Sequence, residues 1–117
     1  MKFYINPNNL TCLYYSKEQD ELMLGFYGNF SYVYYLGKVA SDLLDKIYAS
    51  IAEIPEEEGS HIVYYHPLEV LIINKIDLAA LDQSDNKLRV WFNSGNDFLE
   101  IHSLLADEIF KTMKQSL

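Results

Sequence analysis

Two stretches of the chain, Phe3 to Ile51 and Val63 to Met113, carry apolar and turn-forming residues in the same order. A repeat of this kind limits the fold to two copies of one small unit packed together. Tyr4, Pro7, Leu10 and Leu13 stand opposite Tyr64, Pro67, Val70 and Ile73 at a constant spacing of 60 positions. Leu22, Leu24 and Phe26 stand opposite Leu88, Val90 and Phe92 at a spacing of 66, which puts six extra residues of the second stretch within Lys75 to Asn86. Ser41, Asp45, Ile47, Tyr48 and Ile51 stand opposite Ser103, Asp107, Ile109, Phe110 and Met113 at a spacing of 62. Each stretch also has a glycine turn, Tyr27-Gly28-Asn29 in the first and Asn93-Ser94-Gly95-Asn96 in the second, that reads as the bend of a hairpin.

Local patterns assign the elements. Leu22, Leu24 and Phe26 alternate with Met23, Gly25 and Tyr27, the period of a strand with one buried face, and Phe30, Tyr32 and Tyr34 continue it on the next run. After Ser41, a candidate N-cap, Leu43, Leu44, Ile47 and Ile51 recur at helical spacing, which predicts a helix over 41–53. Ser103 and the stripe Ala106, Ile109, Phe110, Met113 and Leu117 predict a second over 103–116, with Lys111 and Lys114 near its C-terminal end, where positive charge is favoured. Asn6-Pro7-Asn8-Asn9 and His66-Pro67 read as sharp bends, because proline has no backbone donor and holds its predecessor extended. The expected fold class is therefore α+β, an internally duplicated antiparallel β-sheet unit followed each time by one helix, βββα-like twice, in one sheet or in two. The expected organisation is a single domain over 1–117, with repeat 1 at about 3–53, an acidic linker at about 54–60 and repeat 2 at about 61–117. Lys75 to Asn86 is expected to be a surface excursion. The order of elements, with Tyr15, Leu22, Gly28 and Tyr32-Val33-Tyr34, loosely resembles the KTSC domain. The lysine, threonine, serine and cysteine that name that domain are not present as a set, so no function follows from the resemblance.

Charge and composition narrow the function. With 117 residues, a net charge of −8 and 50% apolar residues, the chain is a folded acidic domain and a poor ligand for nucleic acid, whose phosphates it would repel. The one cysteine, Cys12, excludes an internal disulfide and fits a reducing compartment, and no leader-like or membrane-spanning run occurs, so a cytoplasmic protein without membrane contact is expected.

Chemistry-bearing residues are sparse. His61, His66 and His102 lack metal-ligand spacing, and Cys12 sits in a strand-like run with no histidine near it in sequence. Asp77, Asp82 and Asp85 form a spacing worth testing for a metal, yet without the glycine and closing glutamate of a calcium loop. No phosphate-binding loop or nucleophile elbow is present. The expectation is a non-enzyme with no catalytic residue, metal or cofactor.

Tyrosine is the unusual feature. Eight of the ten tyrosines fall in the first stretch. Alternation forbids Tyr34 and Tyr35 from facing the same way, so part of this aromatic surface lies outside the core of one unit. Tyr27, Tyr32, Tyr34 and Tyr35, with Arg89 and Trp91 at the places matching Met23 and Gly25, are the candidate interface or ligand-binding residues. They suggest a small acidic binding or inhibitory protein, of the immunity or anti-defence kind, that presents aromatic anchors to a basic protein partner. The alternative is a small-molecule binder with a pocket at the repeat or dimer interface. A homodimer seam built from these rings is also expected.

Overall fold

The computed structural model describes residues 2–29, 31–55, 57–94 and 98–117. After a 3-10 turn at Pro7–Asn9, closed by the Asn6 carboxamide accepting from the Asn8 N–H, the chain forms a meander of β1 (Leu10–Ser16), β2 (Glu21–Phe26) and β3 (Val33–Leu36). Helix α1 (Gly37–Ala52) follows, then a hairpin of β4 (His61–Tyr65) and β5 (Glu69–Asn74). A second meander, β6 (Leu78–Ser84), β7 (Lys87–Phe92) and β8 (Leu99–His102), leads into α2 (Ala106–Gln115). The hairpin pairs with the first meander, giving a five-stranded antiparallel sheet of order β3-β2-β1-β5-β4, while the second meander forms a separate three-stranded sheet of order β6-β7-β8. The fold is α+β, and its sheets are two.

Two apolar clusters hold these layers together. In the first, α1 lays Ala40, Leu43, Leu44, Ile47 and Ile51 over Leu13, Tyr15, Leu22, Leu24, Val70 and Ile72 on one face of the five-stranded sheet. Each large aliphatic side chain buried there contributes roughly 1.5–3 kcal/mol. In the second, the opposite face of that sheet (Cys12, Met23, Ile62, Tyr64, Leu71, Ile73) shares a core with α2 (Ala106, Ile109, Met113) and the inner face of the small sheet (Leu88, Val90, Phe92, Leu99, Ile101). Central strands β1 and β5 are consequently buried on both faces, which is why β5 reads Val-Leu-Ile-Ile without alternation. The two clusters are tied by a buried polar node where the second meander begins. The Thr11 hydroxyl donates to Asp77 Oδ2 at 2.7 Å, and the Ser94 N–H and hydroxyl donate to the same carboxylate at 2.8 and 2.6 Å.

The meanders match strand for strand. Their strands have seven, six and four residues in each case. Cys12 faces Gly25 as Ala80 faces Trp91, Met23 faces Tyr34 as Arg89 faces Glu100, and a register shift follows Leu10 in one and Leu78 in the other.

Several expectations need correction. Lys75 to Asn86, expected as a surface excursion, contains an edge strand, β6, that has no buried residue and a register shift after Leu78. The strand that β6 matches is β1, whereas β5, expected to match β1, pairs beside it in the same sheet. Along the helices the buried positions Ala40, Leu43 and Ile47 lie 66 residues before Ala106, Ile109 and Met113, not 62. Both slips preserve apolar phase: four residues is close to one helical turn, and the eight between offsets of 60 and 68 is an even number along a strand. Met23 was expected to face away from the core but is buried, because the second half of the chain covers that face. Neither predicted serine is an N-cap. Helix α1 starts at Gly37, with φ +67, and the Ser41 hydroxyl bonds back to the Lys38 carbonyl, while Ser103 lies in the turn before α2. Phe30 and the Gly95-Asn96 turn lie outside the described residues.

Candidate functional site

A cleft of about 1320 Å³ lies between the two sheets. Its floor is the part of the five-stranded sheet's second face that the shared core leaves open, with Tyr14 from β1, Met23 from β2, and Tyr32 and Tyr34 before and within β3. Its wall is β8 with the turn into α2. Strand alternation places Tyr14, Met23 and Tyr34 side by side, since Tyr14 pairs with Met23 and Met23 with Tyr34. Tyr32 follows on the same face and lies over Gly25, where an added Cβ would sit 2.9 Å from both the ring and Cys12 Sγ. Only glycine at that position lets the ring settle onto the sheet.

Glu69 fixes one end of the cleft. Its carboxylate accepts from the Tyr14 hydroxyl and, at 2.5 Å, from the Ser103 hydroxyl, and Ser103 Oγ in turn accepts from the Leu105 N–H at 2.9 Å. One carboxylate thus joins β1, β5 and the turn into α2. Burial and the bond to Glu69 push the Tyr14 hydroxyl up, so it stays a proton donor. Glu18, Glu21, Asp85 and Glu100 join Glu69 around the cleft against Lys17 and Lys87, a formal balance of −3. Tyr34, Leu68, Phe98 and Leu104 are exposed on the lining.

Arg89 and Trp91 occupy a different surface, the outer face of the small sheet. Arg89 makes a two-pronged bond to Asp82, at 3.0 and 2.8 Å, and its guanidinium lies 5.3 Å from the Trp91 ring centre, which stacks on Phe98 at 5.8 Å. Lys87 faces Glu100 at 3.7 Å on the same face. Of the six residues singled out from sequence, Tyr32 and Tyr34 meet in the cleft and Arg89 meets Trp91 on the outer face. Tyr35 points to the α1 side, against Phe3, and Tyr27 is exposed just beyond β2. Tyr14, Glu69 and Ser103 were missed. Their convergence depends on β5 pairing beside β1, which the sequence alignment of the two stretches obscured.

The other reactive groups are dispersed. Cys12 is buried, and burial with the nearby Asp77 charge holds its thiol protonated. The His61 ring nitrogens are buried beside the backbone of Leu10 and Pro7, and burial lowers the pKa of the ring. His66 Nδ1 accepts from the Leu68 N–H inside its own turn, and His102 lies 3.2 Å from Glu100 on the surface. Asp77, Asp82 and Asp85 do not converge: the first is in the buried node, the second binds Arg89, and the third is a turn residue with φ +54. Among the described residues no helix is long and apolar enough to cross a membrane. Comparison of the chain with family models, curated proteins and solved structures gives no match.

Proposed function

We propose that this chain is a binding or inhibitory protein that recognises a basic protein partner through the tyrosine-lined acidic cleft. The observation that carries the reading is an exposed ring among excess carboxylates on one concave surface, Tyr34 beside Glu18 and Glu21, with the half-buried Tyr32 next to it. Tyrosine supplies large contact area with little conformational freedom to lose, and cationic side chains gain both from the ring faces and from the carboxylates. The acidic chain as a whole steers a basic partner toward the site. Small-molecule pockets are usually about 300–1,000 Å³ and enclose most of their ligand. This cleft is larger and has exposed residues along its lining, which favours a polypeptide segment over a metabolite. A second copy of this acidic chain would bring like charges together, so a homodimer is the weaker reading of the same surface. The buried free thiol of Cys12 suits a reducing compartment such as the cytoplasm.

The same reading includes a duplicated βββα unit, supported by equal strand lengths, equal registers and the constant spacing of 66 from β2 and β7 through the two helices. On that view the β4–β5 hairpin is an insertion between copies.

A photo-crosslinking amino acid at position 34 should form an adduct with a basic protein in cells that make the chain, and the same residue at position 27 should not. Glu18→Lys with Glu21→Lys should weaken the purified complex by about tenfold or more, with the loss shrinking at high salt. Adducts from position 27 alone, or affinity unchanged by charge reversal, would sink the proposal.

A further inference from the structure

We infer that β3 accepts an extended basic segment of the partner as a sixth strand of the large sheet, a mode that rests on the cleft being the recognition surface. The Gly37 N–H donates to the Asp20 carbonyl at 2.9 Å, continuing the register in which Leu36 faces Glu21. In an antiparallel ladder hydrogen-bonded pairs alternate with non-bonded ones. Gly37/Asp20, Tyr35/Leu22 and Val33/Leu24 are therefore the bonded pairs, and the N–H and C=O of Tyr34 and the N–H of Leu36 point away from β2. No described residue pairs with that edge.

Proteins usually protect such an edge with charge, proline or a covering element. Strand β3 reads Val-Tyr-Tyr-Leu, with Tyr34 56% and Leu36 64% exposed. The edges of the small sheet carry Asp82 on β6 and Glu100 on β8. At the far edge of the large sheet, Tyr48 of α1 packs on Tyr65 of β4 at 5.0 Å. Of the two edges of the large sheet, β3 and β4, the one that opens into the cleft is β3.

The occupant follows from the two faces beside β3. A residue placed opposite Tyr34 in an antiparallel pair turns its own N–H and C=O toward β3 and its side chain to the cleft, toward the ring and the carboxylates, so a lysine or arginine belongs there. Its neighbours in sequence turn to the α1 side, beside Val33, Tyr35 and the exposed Val39, so they are apolar. The segment therefore alternates basic and apolar residues. Antiparallel addition continues the pattern of every other pair in this sheet.

Three labelled peptides of about six residues, the length of an ordinary strand, test this. One alternates lysine and valine, one has the same sequence N-methylated at the lysine amides, and one is N-methylated at the valine amides. In fluorescence anisotropy the parent peptide should bind. Methylation at lysine should weaken binding by about tenfold or more, methylation at valine by less than about twofold, and hydrogen exchange should slow at Tyr34 and Leu36. Equal binding by all three would overturn strand addition while leaving a charge-reading cleft intact. No binding of the parent at about millimolar concentration, or a loss confined to the valine-methylated form, would also overturn it. Equal affinity for a glutamate–valine peptide would overturn the cleft reading itself. A sedimenting dimer that Tyr34→Lys dissolves would place a second copy on β3 and end the proposal.

Discussion

The two meanders share strand lengths and register, yet their outer faces have opposite chemistry. In the first, Cys12, Tyr14, Gly25, Met23, Tyr32 and Tyr34 make an apolar, aromatic surface. In the second, the register-matched residues are Ala80, Asp82, Trp91, Arg89, Phe98 and Glu100. What differs is the covering layer. The outer face of the first meander is largely closed by the shared core that contains α2 and the small sheet, and its remainder floors the cleft. Among the described residues no layer covers the outer face of the second, where Arg89 is held by Asp82 and lies over Trp91. Both partners of that ion pair are about two-fifths exposed, 39% and 45%, so water screens it strongly. Two sheets with the same backbone plan can thus differ completely in what their second face tolerates.

Exchanging residues between matched positions should give the largest effects. Met23→Arg overfills a packed position at the floor of the cleft and is expected to cost about 1–3 kcal/mol, and Gly25→Trp, which forces a side chain into Cys12 and Tyr32, should cost about 3 kcal/mol or more. Of the reciprocal changes, Arg89→Met should cost far less than either, and Trp91→Gly, which takes a half-buried ring from Phe98 and puts glycine in a central strand, should cost less than Gly25→Trp but more than Arg89→Met. Urea denaturation of the four variants measures the asymmetry, and similar losses on both faces would contradict it.

A smaller effect is expected at the node that links the meanders. Asp77→Ala takes the acceptor from the buried Thr11 hydroxyl and one acceptor from the half-buried Ser94, at about 1–3 kcal/mol for the Thr11 donor. Asp77→Asn, which keeps one oxygen, should lose less. Thermal unfolding of both variants checks the order, and equal losses would show that the carboxylate pair of oxygens is not what joins the layers.

The smallest effect concerns pH. Burial lowers the His61 pKa in the folded chain below its ordinary value of 6.5, so between those two values the unfolded state binds the extra proton. Stability should therefore be undiminished by this group above pH 6.5 and should fall as pH drops through that value toward the folded pKa. In His61→Gln that part of the acid sensitivity should vanish, as read from denaturation midpoints between pH 7 and 5. An unchanged slope would assign the sensitivity to other groups.

Much of the fold was legible in local patterns. The alternation of Leu22, Leu24 and Phe26, the stripe Leu43-Leu44-Ile47-Ile51 and the bends at Pro7 and Pro67 all correspond to features of the structure. Periodicity alone could not choose among alignments that keep apolar phase. It therefore set β5 opposite β1, beside which β5 pairs, and set the helices 62 apart where their buried positions are 66 apart. The candidate site was half legible: alternation put Tyr32 and Tyr34 on one face and Tyr35 on the other, but nothing local marked Tyr14, Glu69 and Ser103 as neighbours.

The sequence by itself determined which residues alternate, which form helical stripes, and that tyrosine and carboxylate dominate the first half and the net charge, because those properties reside in single residues and short-range periods. Only the tertiary structure decided that the β4–β5 hairpin would join the first meander, that Met23 would be covered while Arg89 stayed wet, and that β3 would remain an open edge beside acidic groups. Those outcomes depend on which sheet faces find a partner layer, and a strand's own sequence records its two faces but not what will be packed against them.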